Sequence, residues 1–299
     1  MTDGLVVVDK PRGWTSHDVV GRLRRVYGQR RVGHAGTLDP DATGVLLVGL
    51  GRATRLLRFL QAQSKAYEGT VVFGVATDSL DSTGTVLDRR AMPLERAEVE
   101  EAARRFVGVV EQLPPMVSAV KVGGRKLYEA ARAGEEIERA PRRVTIHALE
   151  VVDFTPAAYP EARIAVECSS GTYIRALAAD LGTALGGCAH LADLRRTSAG
   201  AFTLADASSI EAIEADPQAP VRSPADMLAG FHRVQVGDDE ARAVRHGTVF
   251  PSAVLLGPGE PAVGEGEPFA VLGPDGHLLA VYECRGRSCK PSVVMATSG

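Results

Sequence analysis

Apolar residues along this chain fall in short bursts whose period changes from one burst to the next. Residues 4–9 (GLVVVD) form a continuous apolar run closed by Lys10-Pro11-Arg12-Gly13, which predicts a strand and then a turn. Thr15 or Ser16 can cap a helix that carries Val19, Val20, Leu23, Val26 and Tyr27 on one side. A glycine-rich loop, GHAGTLDPDATG (33–44), leads into a second predicted strand ending at Leu50, and Leu56, Leu57 and Leu60 then recur at helical spacing. Residues 66–75 read as a strand, TDSLDSTGTV as a polar turn, and 94–106 as a helix; Leu113-Pro114-Pro115 interrupts regular structure. The stretch 116–143 is basic and only partly periodic, so it reads as an excursion from the core with a short helix near 127–133. Two strand-like runs follow (144–154 and 162–168), then a helix in TYIRALAADLGTAL with Ile174, Leu177, Ala178, Leu181 and Leu185 inward; 191–196 and 201–202 continue the core.

DPQAPVRSP (216–224) marks a boundary. Beyond it, short strand-like pieces at 269–273 and 278–283 alternate with Gly/Pro turns, a pattern that suits a small β-barrel, and 257–268 reads as a loose loop. The length of 299 residues fits one large domain or two smaller ones at roughly 150 residues per domain.

Composition narrows the function classes. Apolar residues make up 45% and charged residues 24%, as in an ordinary globular protein, and there is no uninterrupted apolar run of membrane-spanning length. The N-terminal residues lack the basic-then-apolar pattern of a secretion signal. None of the four cysteines forms a C-x-x-C pair. Cys284 and Cys289 could join His277 around a metal, but reduced thiols are the expectation for all four. The net charge of −3 argues against coating nucleic acid by bulk charge, yet arginines and lysines crowd three segments, 22–31, 52–58 and 121–143, and together suggest a phosphate-binding surface.

Several residues could carry chemistry. Asp39 sits among Gly33, Gly36 and Gly44, where backbone can approach a ligand closely, and Pro40 biases it to an extended conformation. Its carboxylate could act as nucleophile or base, or could simply close an Asx turn. Arg175 lies near the start of an amphipathic helix; it is either exposed or half-buried with a carboxylate partner. Tyr67 and Tyr173 could belong to the core or stack on a planar ligand, and His34 could be a satisfied loop histidine or a ligand contact. The glycine-rich loop has neither G-x-G-x-x-G nor G-K-[ST] spacing, which sets aside a dinucleotide or P-loop enzyme.

Six stretches in order, VDKPRGWTS (8–16), GHAGTLDPDATGVLLVGLGRAT (33–54), KAYEGTVVFGVATDSLDSTG (65–84), QLPPMVSAVKVGGRKLYEAARAGE (112–135), CSSGTYIRALAADLG (168–182) and LRRTSAGAF (194–202), closely resemble the bacterial TruB-type tRNA pseudouridine synthases. GTLDP and GTYIR are highly specific to that family, and the likeness spans nearly the whole chain. It implies an α+β fold: a pseudouridine synthase domain over 1–222, with a mixed, mainly antiparallel central sheet flanked by helices and an RNA-clamping insertion at about 112–143. From about Phe231 to residue 299 it implies a small PUA-like RNA-binding β-barrel, with RHG (245–247) and CKPSVVM (289–295) as weaker markers.

The resemblance assigns Asp39 as the catalytic aspartate, Tyr67 as the tyrosine that stacks on the target uracil, and Arg175 as the arginine that pairs with the catalytic acid. His34, Tyr173 and Leu194 fall on positions lining the nucleotide pocket, and Lys10-Pro11 on a turn that shapes its floor. Asp41 stands where the family commonly has an apolar residue, and Ser79 where threonine is common. The implied activity is conversion of the T-loop uridine at tRNA position 55 to pseudouridine after base flipping, with no cofactor and no metal. The implied setting is cytoplasmic, with the tRNA T-arm as partner, no membrane, no obligate protein partner and a monomeric chain. Two other readings are a guide-RNA-dependent synthase and an RNA-binding or tRNA-folding protein whose catalysis is incidental.

Overall fold

A computed structural model describes residues 1–115, 121–122, 125–126, 139–257 and 263–295. The expected short helix near 127–133 lies outside them. The strands are β1 (Gly4–Lys10), β2 (Val32–Ala35), β3 (Thr43–Leu50), β4 (Lys65–Phe73), β5 (Val75–Thr77), β6 (Val86–Arg89), β7 (Gly108–Gln112), β8 (Lys121–Val122), β9 (Arg125–Lys126), β10 (Arg142–Thr155), β11 (Glu161–Cys168), β12 (Ala189–Ala199), β13 (Phe202–Thr203), β14 (Val221–Arg222), β15 (Arg233–Gln235), β16 (Phe250–Pro251), β17 (Pro268–Leu272), β18 (Leu278–Arg285) and β19 (Ser288–Val294). Two compact units emerge: residues 1–39, 45–61 and 200–299 form the first, and 40–44 with 62–199 the second.

In the first unit, β14, β1 and β3 are neighbours, and β2 folds back antiparallel onto β3 with His34 opposite Val48. The run Leu5 to Val8 is fully buried, which explains why it is apolar without alternation. The helix Ser16–Val26 starts at Thr15 in a complete capping box: Asp18 N–H donates to the Thr15 side chain, and Thr15 N–H donates to the Asp18 carboxylate at 2.8 Å. Its Val19, Val20 and Leu23 face inward, and Arg22 on its outer side pairs with Glu214. The leucines at 56, 57 and 60 do lie inward, but 51–56 wind as a 3-10 turn and only Leu57–Gln61 is α-helical.

The end of the first unit is a curled five-stranded sheet in the order β15-β17-β18-β19-β16. Phe250, Phe269 and Tyr282 fill its core, and the Tyr282 hydroxyl donates to Thr248 O at 2.8 Å. An amphipathic helix, Asp238–Arg245, also belongs here, buried through Ala241 and Val244. Cys284 and Cys289 face each other in register across β18 and β19 and are joined as a disulfide. This corrects the expectation of four reduced thiols: the hairpin register brings two cysteines five residues apart into bonding reach, while Cys168 and Cys188 stay free.

The second unit is built on β12-β4-β11-β10-β7, antiparallel throughout, with Thr43-Gly44 of β3 running parallel to Arg195-Arg196 of β12. β4 alternates strictly, with Lys65, Tyr67, Gly69, Val71 and Phe73 on the buried face. Gly44 has φ +100°, and a Cβ there would come within 2.2 Å of Arg196 O, so the parallel pairing demands glycine on both counts. The helices Arg96–Arg104 and Ile174–Ala184 pack in this unit, the second almost wholly apolar on its buried side.

Candidate active site

The Asp39 loop follows β2 in the first unit. Its turn at Gly36 has φ +86°, open to glycine and strained for other residues. The buried Ser16, first residue of its helix, then grips Leu38 from both sides: Ser16 Oγ donates to Leu38 O at 3.1 Å and accepts from Leu38 N–H at 2.9 Å. Two reciprocal hydrogen bonds therefore fix the residue directly before Asp39, and Asp39 itself is half-buried rather than sealed. On β2, the His34 ring meets the His17 ring edge-on, 5.4 Å between centroids. Lys10 is fully buried and donates to Pro11 O at 2.9 Å and Trp14 O at 2.6 Å, so this lysine holds the Lys-Pro turn in shape.

The remaining candidates belong to the second unit. Tyr67 is buried on β4, opposite Val166 of β11 and Arg196 of β12. Leu194 pairs with Gly69 and so lies on the face that carries Tyr67; a Cβ at 69 would come within 3.0 Å of Asp193 O and 3.1 Å of Leu191 Cδ1. An aromatic ring and a branched aliphatic group thus share one sheet face, a surface suited to a flat heterocycle. On the same face, Lys65 and Arg196 are both buried, and burial together with the Arg196 charge pulls the Lys65 ammonium down to about 8.

Arg175 is the second residue of the Ile174–Ala184 helix, and its side chain is only 6% exposed. Its Nη1 donates to Ser79 O at 3.0 Å and to Asp81 Oδ2 at 3.1 Å. Asp81 Oδ1 accepts from Ser79 Oγ at 2.6 Å, Thr83 Oγ1 at 2.6 Å and Thr83 N–H at 3.0 Å. Burial pushes the Asp81 carboxyl up, but these donors and the Arg175 charge outweigh it and hold the group below the usual carboxylate range. Between them Leu80 takes φ +63°, the one positive φ outside glycine among the described residues, and Leu80 O accepts from Leu191 N–H at 3.0 Å on β12.

Tyr173 is the N-cap of the same helix, and the buried Gln112 at the end of β7 clamps its backbone. Tyr173 N–H donates to Gln112 Oε1 at 3.0 Å, and Gln112 Nε2 donates to Tyr173 O at 3.3 Å. Sequence reasoning left Arg175 either exposed or half-buried against a carboxylate; it did not name Asp81 or Gln112, and named Ser16 only as a possible helix cap. Of these, only Ser16 carried a local signal, as a residue beside the helix cap. Among the described residues no group of three or more His, Cys, Asp or Glu side chains could hold a metal ion, and His277 pairs with Asp275.

Family models match most of the chain. Residues 24–174 match the TruB family pseudouridylate synthase N-terminal domain, 175–220 the tRNA pseudouridylate synthase B C-terminal domain, and 231–296 the C-terminal region of tRNA pseudouridine synthase II. A tRNA pseudouridine synthase B of Thermobifida fusca is 46% identical over 305 aligned residues, covering 100% of both chains. One from an Arthrobacter species is 42% identical, covering 100% of this chain and 98% of its own. Among solved structures, a chain of a Cbf5-Nop10-Gar1 complex superposes with a TM-score of 0.76 at 22% identity, covering 97% of this chain and 84% of that one. A chain of an H/ACA ribonucleoprotein bound to a substrate RNA gives 0.75 at 21% identity, covering 98% and 85%.

Proposed function

The chain belongs to the TruB family of pseudouridylate synthases, and from that premise we propose that it isomerises the T-loop uridine at tRNA position 55 with Asp39 as the catalytic carboxylate. The N1–C1′ bond breaks, the held uracil turns, and C5 bonds to C1′; the C5 hydrogen leaves to solvent and N1 gains a proton. The net change is zero in electrons, so the reaction calls for a positioned acid group and a pocket that retains a free base. Tyr67 and Leu194 receive the uracil face, Arg175 supplies the positive charge that keeps the acid ionised, and His34 and Tyr173 line the nucleotide site. The observation that carries the reading is the presence of GTLDP and GTYIR in a chain that aligns end to end with a tRNA pseudouridine synthase B at 46% identity.

The target base leaves its stack at a cost of a few kcal/mol, which arginine contacts to phosphates offset. The 231–299 region is read as a PUA-like RNA-binding module, and the enzyme as a cytoplasmic monomer acting on the T-arm without a protein partner or guide. Tritium release from C5-labelled tRNA transcript tests this. Wild-type chain alone should release the label, Asp39→Asn should not, and Arg175→Lys should bind tRNA while losing most turnover, because an ammonium lacks the planar fork. Turnover by Asp39→Asn would remove the assignment. Release only when a guide RNA is added would favour the guide-dependent reading.

A further inference from the structure

The first unit contains a cavity of about 560 Å³ lined by none of the residues assigned to uridine chemistry, a size within the range of small-ligand sites. Leu278, Leu279 and Met295, all buried, give it an apolar floor. Its polar lining is uneven in charge. Arg52 is answered by Asp3 at 2.7 Å, and His277 Nδ1 lies 3.1 Å from Asp275 Oδ2. The hydrogen bond from His277 N–H to Asp275 holds that carboxyl below its usual range, so it is an acceptor at neutral pH. Arg245, the last residue of the Asp238–Arg245 helix, is exposed and makes no hydrogen bond or ion pair with any described residue.

An apolar floor broad enough for a ring, one uncommitted guanidinium and one ionised acceptor form a specific combination. The floor suits the face of a base, the guanidinium a single phosphate, and the carboxylate an exocyclic amine, which adenine, guanine and cytosine carry and uracil lacks. A fatty chain would leave the charged rim unused, and a bare anion would leave the floor unused.

We propose that this cavity is a second RNA subsite that takes one unpaired nucleotide with an amino-bearing base, its phosphate on Arg245 and its amine on Asp275. The inference rests on the reading of the chain as an enzyme acting on RNA, and it adds a point of recognition whose residues are distinct from those assigned to the uridine. It gives the chain a preference among unpaired nucleotides that the uridine pocket does not supply.

Fluorescein-labelled pentaadenylate and pentauridylate, titrated against the full chain by anisotropy at several salt concentrations, test it. Pentaadenylate should bind more tightly than pentauridylate. Arg245→Ala should weaken pentaadenylate about tenfold and reduce the salt slope by about 0.7, the loss of one phosphate contact. Asp275→Ala, which removes the acceptor, should abolish the preference and leave pentauridylate unchanged. Both positions are exposed, so folding should survive, and Arg245→Gln serves as a second charge-removing variant. Equal wild-type affinities for the two oligomers, or affinities unmoved by Arg245→Ala and Arg245→Gln, overturn the proposal. Uridine isomerisation on a short T-loop hairpin, measured in parallel, should be unchanged by Arg245→Ala. If wild type fails on the hairpin, the functional reading falls, while the oligomer titrations still judge the cavity.

Discussion

Asp81→Ala should destabilise the second unit far more than a surface carboxylate would. The side chains involved are 6% exposed for Arg175 and 20% for Asp81, so this is a largely desolvated pair. Breaking such a pair from one side costs about 3–5 kcal/mol, because the surviving charge stays buried. Arg175 keeps its bond to Ser79 O, which places the loss near the lower end, about 3 kcal/mol. The turn contributes separately, since Ser79 Oγ, Thr83 Oγ1 and Thr83 N–H lose their common acceptor. Urea unfolding followed by circular dichroism measures it, with Asp81→Asn as an uncharged companion expected to lose less than Asp81→Ala. The pH dependence has a definite sign. Asp81 is held below its unfolded value, so its contribution is complete above the unfolded pKa near 4 and disappears as pH falls through the lower folded value. Wild type and Asp81→Ala should therefore converge in stability in strong acid. A loss under 1 kcal/mol at pH 7, or a gap that persists unchanged into acid, would refute the reasoning.

Three further outcomes follow from other contacts. Ser16→Ala removes both bonds to Leu38 and should cost about 1–3 kcal/mol by denaturant titration while lowering turnover more than tRNA binding. Because Lys65 is held at about 8, its own contribution to stability rises between about pH 8 and its unfolded value near 10.4, while the raised Cys168 thiol acts in the opposite sense from about pH 9; Lys65→Met should therefore remove a rising component from melting curves recorded against pH. Reducing the Cys284–Cys289 disulfide, or Cys284→Ser, should cost about 2 kcal/mol for so short a loop, read as a lower melting temperature of the β15–β19 sheet in the presence of reductant.

Much of the architecture was legible because its signals are local. The apolar run at 4–9, the Thr15 cap, the alternation of β4 and the helix after GTY all appear where periodicity and capping place them. β7 escaped because Val109 is exposed and the strand's alternation is carried by only five residues next to a proline pair. The Asp238–Arg245 helix was hidden by its shortness among glycines and charges. At the site, resemblance supplied the named residues, but residues that work through distant partners left no mark in sequence. Asp81 stands 94 positions from Arg175 and reads as part of a polar turn. Gln112 stands 61 positions from Tyr173 and reads as the end of a basic insertion's approach. Neither spacing follows from a helical or strand period; only folding brings those groups together. The disulfide escaped for another reason, since the hairpin that aligns its cysteines was not paired in advance.

Position 44 illustrates how little latitude a backbone crossing can leave. With the Arg196 carbonyl 2.2 Å from where a first side-chain carbon would stand, no residue type can be accommodated by choosing another rotamer, since the obstacle meets the atom common to all of them. In a saturation library screened for soluble protein, codon 44 should return a single amino acid, whereas its neighbour Thr43, half-exposed, should return many.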